Sequence, residues 1–235
     1  MRFRGAYVAV SIALVAALLS ACGGSGGSSG GSDNGVASKS AEAILAATTA
    51  ATSNLSALHM SGSLTSNGTP ITLDLYLVSG KGATGTLSEN GLSFKLISVG
   101  KLVFINGSAK FWEKFGGKAA ATLFNGKWLK TTTSSPSFGS LAALTNLHDL
   151  FGKLLGSHGA LKKAAATTID GQKVIGLTDT AKGGTLYVAT TGKPYPVQLT
   201  SPKPGTGHIT FSGFNQPVSI TAPSSSVDIS QLTGG

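Results

Sequence analysis

The sequence predicts an α+β protein: a long antiparallel sheet joined to a small helical cluster. Three observations carry this. Apolar and polar residues alternate with a period of two in several short runs punctuated by turn residues, the pattern of half-buried strands. Glycine is abundant, with 33 of 235 residues, and aromatics make up only 7%, which favours a turn-rich β protein over a helical bundle. Charged residues are 11% of the chain, against roughly 25% in an average globular protein, while 41% are hydrophobic, so most of the chain packs rather than staying disordered.

Residues 1–21 read as a bacterial lipoprotein signal peptide. Arg2 and Arg4 form a positive start, and Ala6–Leu19 is apolar apart from Ser11. That stretch is shorter than the ~20 residues a bilayer span takes. It ends in Leu19-Ser20-Ala21-Cys22, a lipobox, whose small residues admit a peptidase to the bond before Cys22. Cys22 is the predicted lipid anchor, because a thiol carries the diacylglycerol. It is also the only cysteine, which excludes an internal disulfide and a multi-cysteine metal site. Two or three acyl chains (palmitate or similar), at ~0.8 kcal/mol per buried CH₂, anchor a protein stably. Residues 22–40 read as a tether: Gly23–Ser32 is unbroken Gly and Ser, and the rest is polar. The predicted location is extracytoplasmic, periplasmic in the broad sense, on the cell membrane. Residues 41–235 form the folded body.

Within the body, Ser40 suits a helix N-cap and Glu42 the first turn. Ile44, Thr48, Ala51, Leu55 and Leu58 recur on one face of a helix running to about Asn54 or Leu55. From His59 the period becomes two. Met60–Leu64, Ile71–Leu77, Ala83–Ser88, Leu92–Leu96 and Lys101–Ile105 make five strands, with Asn67-Gly68 and Asn90-Gly91 as turns and the series closing before Asn106-Gly107. Ser108–Phe124 reads as two short helical turns around Gly116-Gly117, and Trp128-Leu129 as a short extended piece. Leucines and Phe151 at spacings of three and four within Ser137–Leu155 predict a helical hairpin or a pair of short helices. The β pattern returns in Thr167–Ile169, Lys173–Leu177, Thr185–Ala189, Val197–Thr200, His208–Ser212 and Val218–Thr221, with Asp170-Gly171 as a turn. About ten strands with one aliphatic face must curl or be covered. The space under the helices is either filled or an apolar cavity suited to lipid tails.

Catalytic motifs are wanting, and no enzyme is expected. Gly23-Gly24-Ser25-Gly26-Gly27 matches a nucleophile elbow only by composition. Gly80-Lys81-Gly82-Ala83-Thr84-Gly85 lacks the βαβ unit a dinucleotide fingerprint needs. His59, His148, His158 and His208 are separated without metal-ligand spacing, and the acidic residues are spread singly. His148-Asp149 with a distant serine is the one local pair for a hydrolase. The net charge of +9 comes from scattered basic residues, unlike a nucleic-acid binder. Such charge serves either attraction to an anionic envelope surface or solubility.

These features resemble an actinobacterial lipoprotein family, the LppX/LprA/LprF/LprG type, which is akin to the LolA/LolB lipid carriers. The likeness rests on the lipobox, the Gly/Ser linker, the Ala-rich first helix, and Leu58-His59-Met60-Ser61-Gly62. It continues through Lys101–Gly107, Phe111-Trp112-Glu113-Lys114-Phe115, Gly126-Lys127-Trp128-Leu129, Gly171-Gln172-Lys173-Val174, Gly184–Val188, Pro194-Tyr195-Pro196, and Phe214–Val218 through Ala222-Pro223. The resemblance implies a curved antiparallel half-barrel with helices packed on its concave face, and a monomeric carrier of acylated lipid or glycolipid without a cofactor or metal. Its partners would be that ligand, the membrane and an envelope transporter. Alternation and the central helices name the lining candidates: Leu73, Leu75, Leu77, Phe94, Leu96, Phe104, Phe111, Trp112, Phe115, Leu147, Phe151 and Leu154. A non-enzymatic structural or sensory envelope lipoprotein with a packed core is the alternative.

Overall fold

Alternation in the first half becomes five antiparallel strands in a computed structural model, which describes residues 31–66, 68–135, 146–203 and 205–229. They are β1 (Ala57–Ser66), β2 (Thr69–Val78), β3 (Gly82–Glu89), β4 (Leu92–Val99) and β5 (Leu102–Gly107). Asn90 and Gly91 take φ of 49° and 77°, as a two-residue hairpin demands. Asn106 and Gly107 do not turn but finish β5. A Cβ on Gly107 would collide with the Phe111 ring, so the glycine admits the next helix onto the sheet.

That sheet has twelve strands and does not close. Its remaining members are β6 (Leu129–Thr132), β7 (Leu161–Ile169), β8 (Gln172–Asp179), β9 (Thr185–Ala189), β10 (Pro196–Thr200), β11 (Gly207–Ser212) and β12 (Val227–Asp228). The order is β12-β6-β5-β4-β3-β2-β1-β11-β10-β9-β8-β7, antiparallel except where β12 joins β6. The two halves of the chain therefore meet where β1 pairs with β11, Met60 opposite Phe211 and Gly62 opposite Ile209. Asp170 and Gly171, φ 48° and 79°, turn β7 into β8 as expected. The predicted strand Val218–Thr221 does not form. Pro217 and Pro223 flank it without N–H donors, and the chain returns to the sheet only at β12, where the Val227 N–H donates to the Trp128 carbonyl at 2.8 Å.

Edges are short or guarded. β12 has two residues, and Lys130 of β6 meets Asp228 at 2.9 Å. β7 carries a register shift between Lys163 and Ala166. Its Lys163 Nζ donates to the carbonyls of Ala37 and Lys39 at 3.0 and 3.1 Å, holding the chain ahead of the first helix. That segment is seated elsewhere too. The Asn34 N–H donates to the Thr190 carbonyl at 2.9 Å and Val36 is buried, so the end of the predicted tether lies on the body.

Three α-helices are described, on the concave side of the sheet. α1 (Ala41–Thr52) starts where the Ser40 Oγ accepts the Ala43 N–H at 3.2 Å. It ends earlier than the stripe suggested. Its buried face is Ala41, Ile44, Thr48 and Thr52, while Ala51 is half-buried, Leu55 lies beyond the helix and Leu58 belongs to β1. The hydroxyls of Thr48 and Thr52 donate back to the carbonyls of Ile44 and Thr48, so the polar atoms of this face are satisfied internally. α2 (Ala109–Phe124) is broken at Gly117, whose φ of 75° and ψ of −178° suit only glycine, so the two predicted helical turns exist as two halves of one element. α3 (Leu147–Gly156) is capped by the Asn146 Oδ1, which accepts from the N–H groups of His148 and Asp149. Leu147, Phe151 and Leu155 form its buried stripe. The rest of the predicted helical stretch, residues 137–145, lies outside the described residues, as does Cys22.

All described residues belong to one compact unit, Gly31–Gly235. Its main core joins the concave face to the helices, with Ile44, Leu58, Leu75, Leu77 and Leu96 wholly buried. A smaller cluster of Val174, Ala189 and Val197 packs separately. Each full burial of such an aliphatic side chain contributes about 1.5–3 kcal/mol. Leu75→Ala is expected to destabilise the body by about 2–5 kcal/mol in urea unfolding. Thr72→Ala, on the exposed face of the same strand, is expected to change it by less than about 0.5 kcal/mol.

Candidate functional site

The helices do not cover the sheet evenly. Between α1, α3 and the second half of the sheet a cavity of about 460 Å³ remains. One wall is a row of leucines set by register: Leu177 of β8 opposite Leu186 of β9, and Leu186 opposite Leu199 of β10. Leu45 of α1, Leu154 and Leu155 of α3, Leu64 of β1 and Leu161 of β7 complete the apolar lining. Polar residues gather at one end: Ser157, His158, Asp179, Lys182, Thr200 and Ser201.

A small hydrogen-bond network lies at that end. The Asp179 carboxylate accepts the N–H groups of Gly159 at 2.9 Å, Ala181 at 2.9 Å and Lys182 at 2.8 Å. It thus ties the β8–β9 turn to the connection leaving α3. The Lys182 Nζ donates to the carbonyl and hydroxyl of Ser157 at 3.0 and 3.1 Å. The backbone donors of Lys182 and Gly159 hold the Asp179 carboxyl below its ordinary 3.8, against the opposing effect of desolvation.

Among the predicted lining residues, Leu154 lines this cavity. Leu73, Leu75, Leu77 and Leu96 lie on the concave face but are buried in packed core, and Phe94 is half-buried beside them. Leu147 and Phe151 pack inward from α3, Phe151 against Phe211 at 6.0 Å. On α2, Trp112 is buried in the core, Phe111 is half-buried and Phe115 is exposed. The Trp112 Nε1 has no hydrogen-bond partner among the described residues. Phe104 departs from the expectation altogether. Val103 and Ile105 take the inward positions of β5, so Phe104 pairs with Ile97 on the opposite face, buried but outside the main core. The strand's run of apolar residues hid its parity. What the sequence reading missed is the leucine row of β8–β10, whose alternation was visible but whose helical partner was not.

A second constellation comes from three strands. On the face opposite the helices, the His59 Nε2 lies 2.9 Å from the Asp74 Oδ1, and its Nδ1 lies 3.1 Å from the Ser212 Oγ. The ring stacks on Tyr76 at 4.2 Å. The order carboxylate, imidazole, hydroxyl is that of a nucleophilic triad. An acyl-transfer site also needs oxyanion donors in a water-excluded pocket, whereas Asp74 is 58% exposed and His59 and Ser212 are simply register partners in the β1/β11 ladder. His148 and Asp149 point apart as neighbours on a helix and are both exposed. Among the described residues no group of three or more His, Cys, Asp or Glu side chains could hold a metal ion, and no helix is long and apolar enough to cross a membrane.

The Asp179 network has a defined pH dependence. Because its folded pKa is lowered, the stability it adds is present above the ordinary carboxylate value and is lost as pH falls below 3.8. Asp179→Asn is expected to flatten that part of the profile, measured as urea midpoints from about pH 5 down to about pH 2.

No protein-family model matches the chain, and no curated protein sequence does. Solved structures do. LppX, a lipoprotein of Mycobacterium tuberculosis, is 20% identical with a TM-score of 0.46, over 77% of this chain and 99% of its own. LprF from Mycobacterium bovis is 15% identical with a TM-score of 0.55, over 79% of this chain and 97% of its own. An open, mostly antiparallel sheet with helices on its concave face is thus a fold that this chain shares with LprF of Mycobacterium bovis.

Proposed function

We propose that the chain is a cell-envelope lipoprotein of the LppX/LprG type, one that takes the hydrocarbon of an acylated lipid or glycolipid into the cavity under α1 and α3 and carries or presents it. The observation that carries this reading is the cavity itself. Its volume of about 460 Å³ falls within the ~300–1,000 Å³ of small-ligand sites. At ~30 Å³ for a water-sized group, it has room for roughly fifteen such groups, about one long acyl chain. The lining is leucine, which rewards each buried CH₂ with ~0.8 kcal/mol. Ser157, His158, Lys182 and Ser201 at the polar end would lie beside a headgroup. The fold shared with LprF, together with the leader over residues 1–21 and the Cys22 anchor that the sequence predicts, supports an extracytoplasmic, membrane-held carrier rather than an enzyme. An envelope transporter or acceptor would be its transfer partner.

Two measurements test this. Native mass spectrometry of the body, residues 31–235, is expected to show one bound acyl lipid, with a fluorescent fatty acid competing for the same site. Leu199→Trp, which fills the leucine wall, is expected to weaken fatty-acid binding at least about tenfold. An apo mass together with no uptake by the unsubstituted body would select the alternative, a packed structural or sensory lipoprotein. For the anchor, Cys22→Ala is expected to abolish palmitate labelling and to release the protein from the membrane fraction.

A further inference from the structure

α2 is apolar on two sides, and only one of them is used. Trp112, Ala120, Ala121 and Phe124 pack inward against the main core. Phe115 and Leu123, one from each half of the broken helix, stand 67% and 52% exposed. They are the most exposed large hydrophobic side chains among the described residues. Phe115 is not loosely placed: its ring packs on Phe111 at 4.7 Å, and Phe111 packs on Phe94 of β4 at 5.0 Å. The side chain is thus braced from the sheet outward.

Basic side chains predominate around these two residues. Lys110, Lys114, Lys118 and Lys127 are all exposed, and Glu113 is the single acidic residue of the segment. Basic residues interleaved with protruding aromatic and aliphatic side chains make the pattern of an interfacial helix. Two protruding side chains do not make the ~800 Å² per partner of a stable protein interface, whereas a bilayer accepts isolated apolar protrusions and rewards nearby cations.

We infer that α2 is a membrane-docking element, which inserts Phe115 and Leu123 into the boundary of an anionic lipid bilayer while the lysines engage its headgroups. This goes beyond lipid carriage, since docking uses a surface that does not line the cavity. It gives the body a fixed face toward the membrane, which an N-terminal lipid anchor alone does not supply.

The test is co-sedimentation of residues 31–235, a compact unit with its own core, with vesicles. Binding is expected on mixed phosphatidylglycerol–phosphatidylcholine vesicles, with affinity falling as salt rises, and at least about tenfold weaker binding on phosphatidylcholine alone. Lys110→Gln, Lys114→Gln and Lys118→Gln together are expected to weaken it on the order of a hundredfold, about fivefold per lysine. Phe115→Ser with Leu123→Ser is expected to weaken it about tenfold or more. Fatty-acid uptake from vesicle-free solution should stay within about twofold in both variants, which separates failure of docking from failure of the carrier reading. The lysine variant keeps the test open should the apolar variant misfold. Absence of vesicle binding, or binding indifferent to both sets of substitutions, overturns the inference. So does a concentration-dependent dimer lost in the apolar variant without vesicle binding, which would make the surface a contact between copies of this chain.

Discussion

The pairing of β1 with β11 is the contact on which the remaining architecture depends. It joins residues about 150 apart in the chain, His59 with Ser212 and Leu64 with Gly207 at its ends. Without it the chain would hold two separate meanders, β1–β5 with β6, and β7–β11. With it, the apolar faces of both become one concave surface. Gly62 sits in the middle of this seam with φ of 142°, and a Cβ there would strike the His208 carbonyl. The seam therefore has no side chain at its closest approach, and the backbone requirement is local and strict.

A single wide apolar face creates a problem of supply. The described helices are short, and they are distributed unequally over it. On the β2–β5 side, Leu75, Leu77, Leu96 and Ile105 are sealed by close packing. On the β8–β10 side, Leu177 and Leu186, though buried, and the half-buried Leu199 line a cavity shared with α1 and α3. The cavity is thus the arithmetic residue of sheet width over helical cover. Large aromatics could have filled it, but the chain places Phe94, Phe111, Trp112 and Phe124 at the α2 end instead.

Much of this could be read from the sequence, for physical reasons. Period-two alternation and Asn-Gly or Asp-Gly turns are local signals, and they located most of the strands and the turns at Asn90-Gly91 and Asp170-Gly171. Parity within an unbroken apolar run is not local. Leu102–Ile105 looks alike from either face, so alternation alone cannot tell that Ile105 rather than Phe104 points inward. Tertiary pairing is less local still. Nothing in residues 147–156 alone says that Leu154 meets the cavity while Leu147 and Phe151 meet core, since all three satisfy the same helical spacing. The His59, Asp74 and Ser212 cluster is invisible for the same reason, as its members belong to three strands that only the sheet order brings together.

Register also relates the two apolar features of the surface. One row of side-chain positions runs from Leu177 through Leu186, Leu199, Ile209, Gly62, Leu73 and Leu87 to Phe94. It crosses eight strands, roughly 33 Å at ~4.8 Å per step. Its first three members wall the cavity, and its last touches Phe111 beneath the exposed Phe115. Between them Leu73 and Leu87 are buried and Gly62 contributes no volume, so the row is continuous as packing and closed as a channel. A chain held beside Leu199 cannot slide along it toward α2 without displacing core. At the cavity's polar end the Gly159 N–H on Asp179 and the Lys182–Ser157 contacts hold two loops together, while Ala181 and Lys182 close the turn that presents Asp179. The links between the two loops are hydrogen bonds, one partly buried and the others exposed, whereas the opposite end of the row is sealed by buried packing.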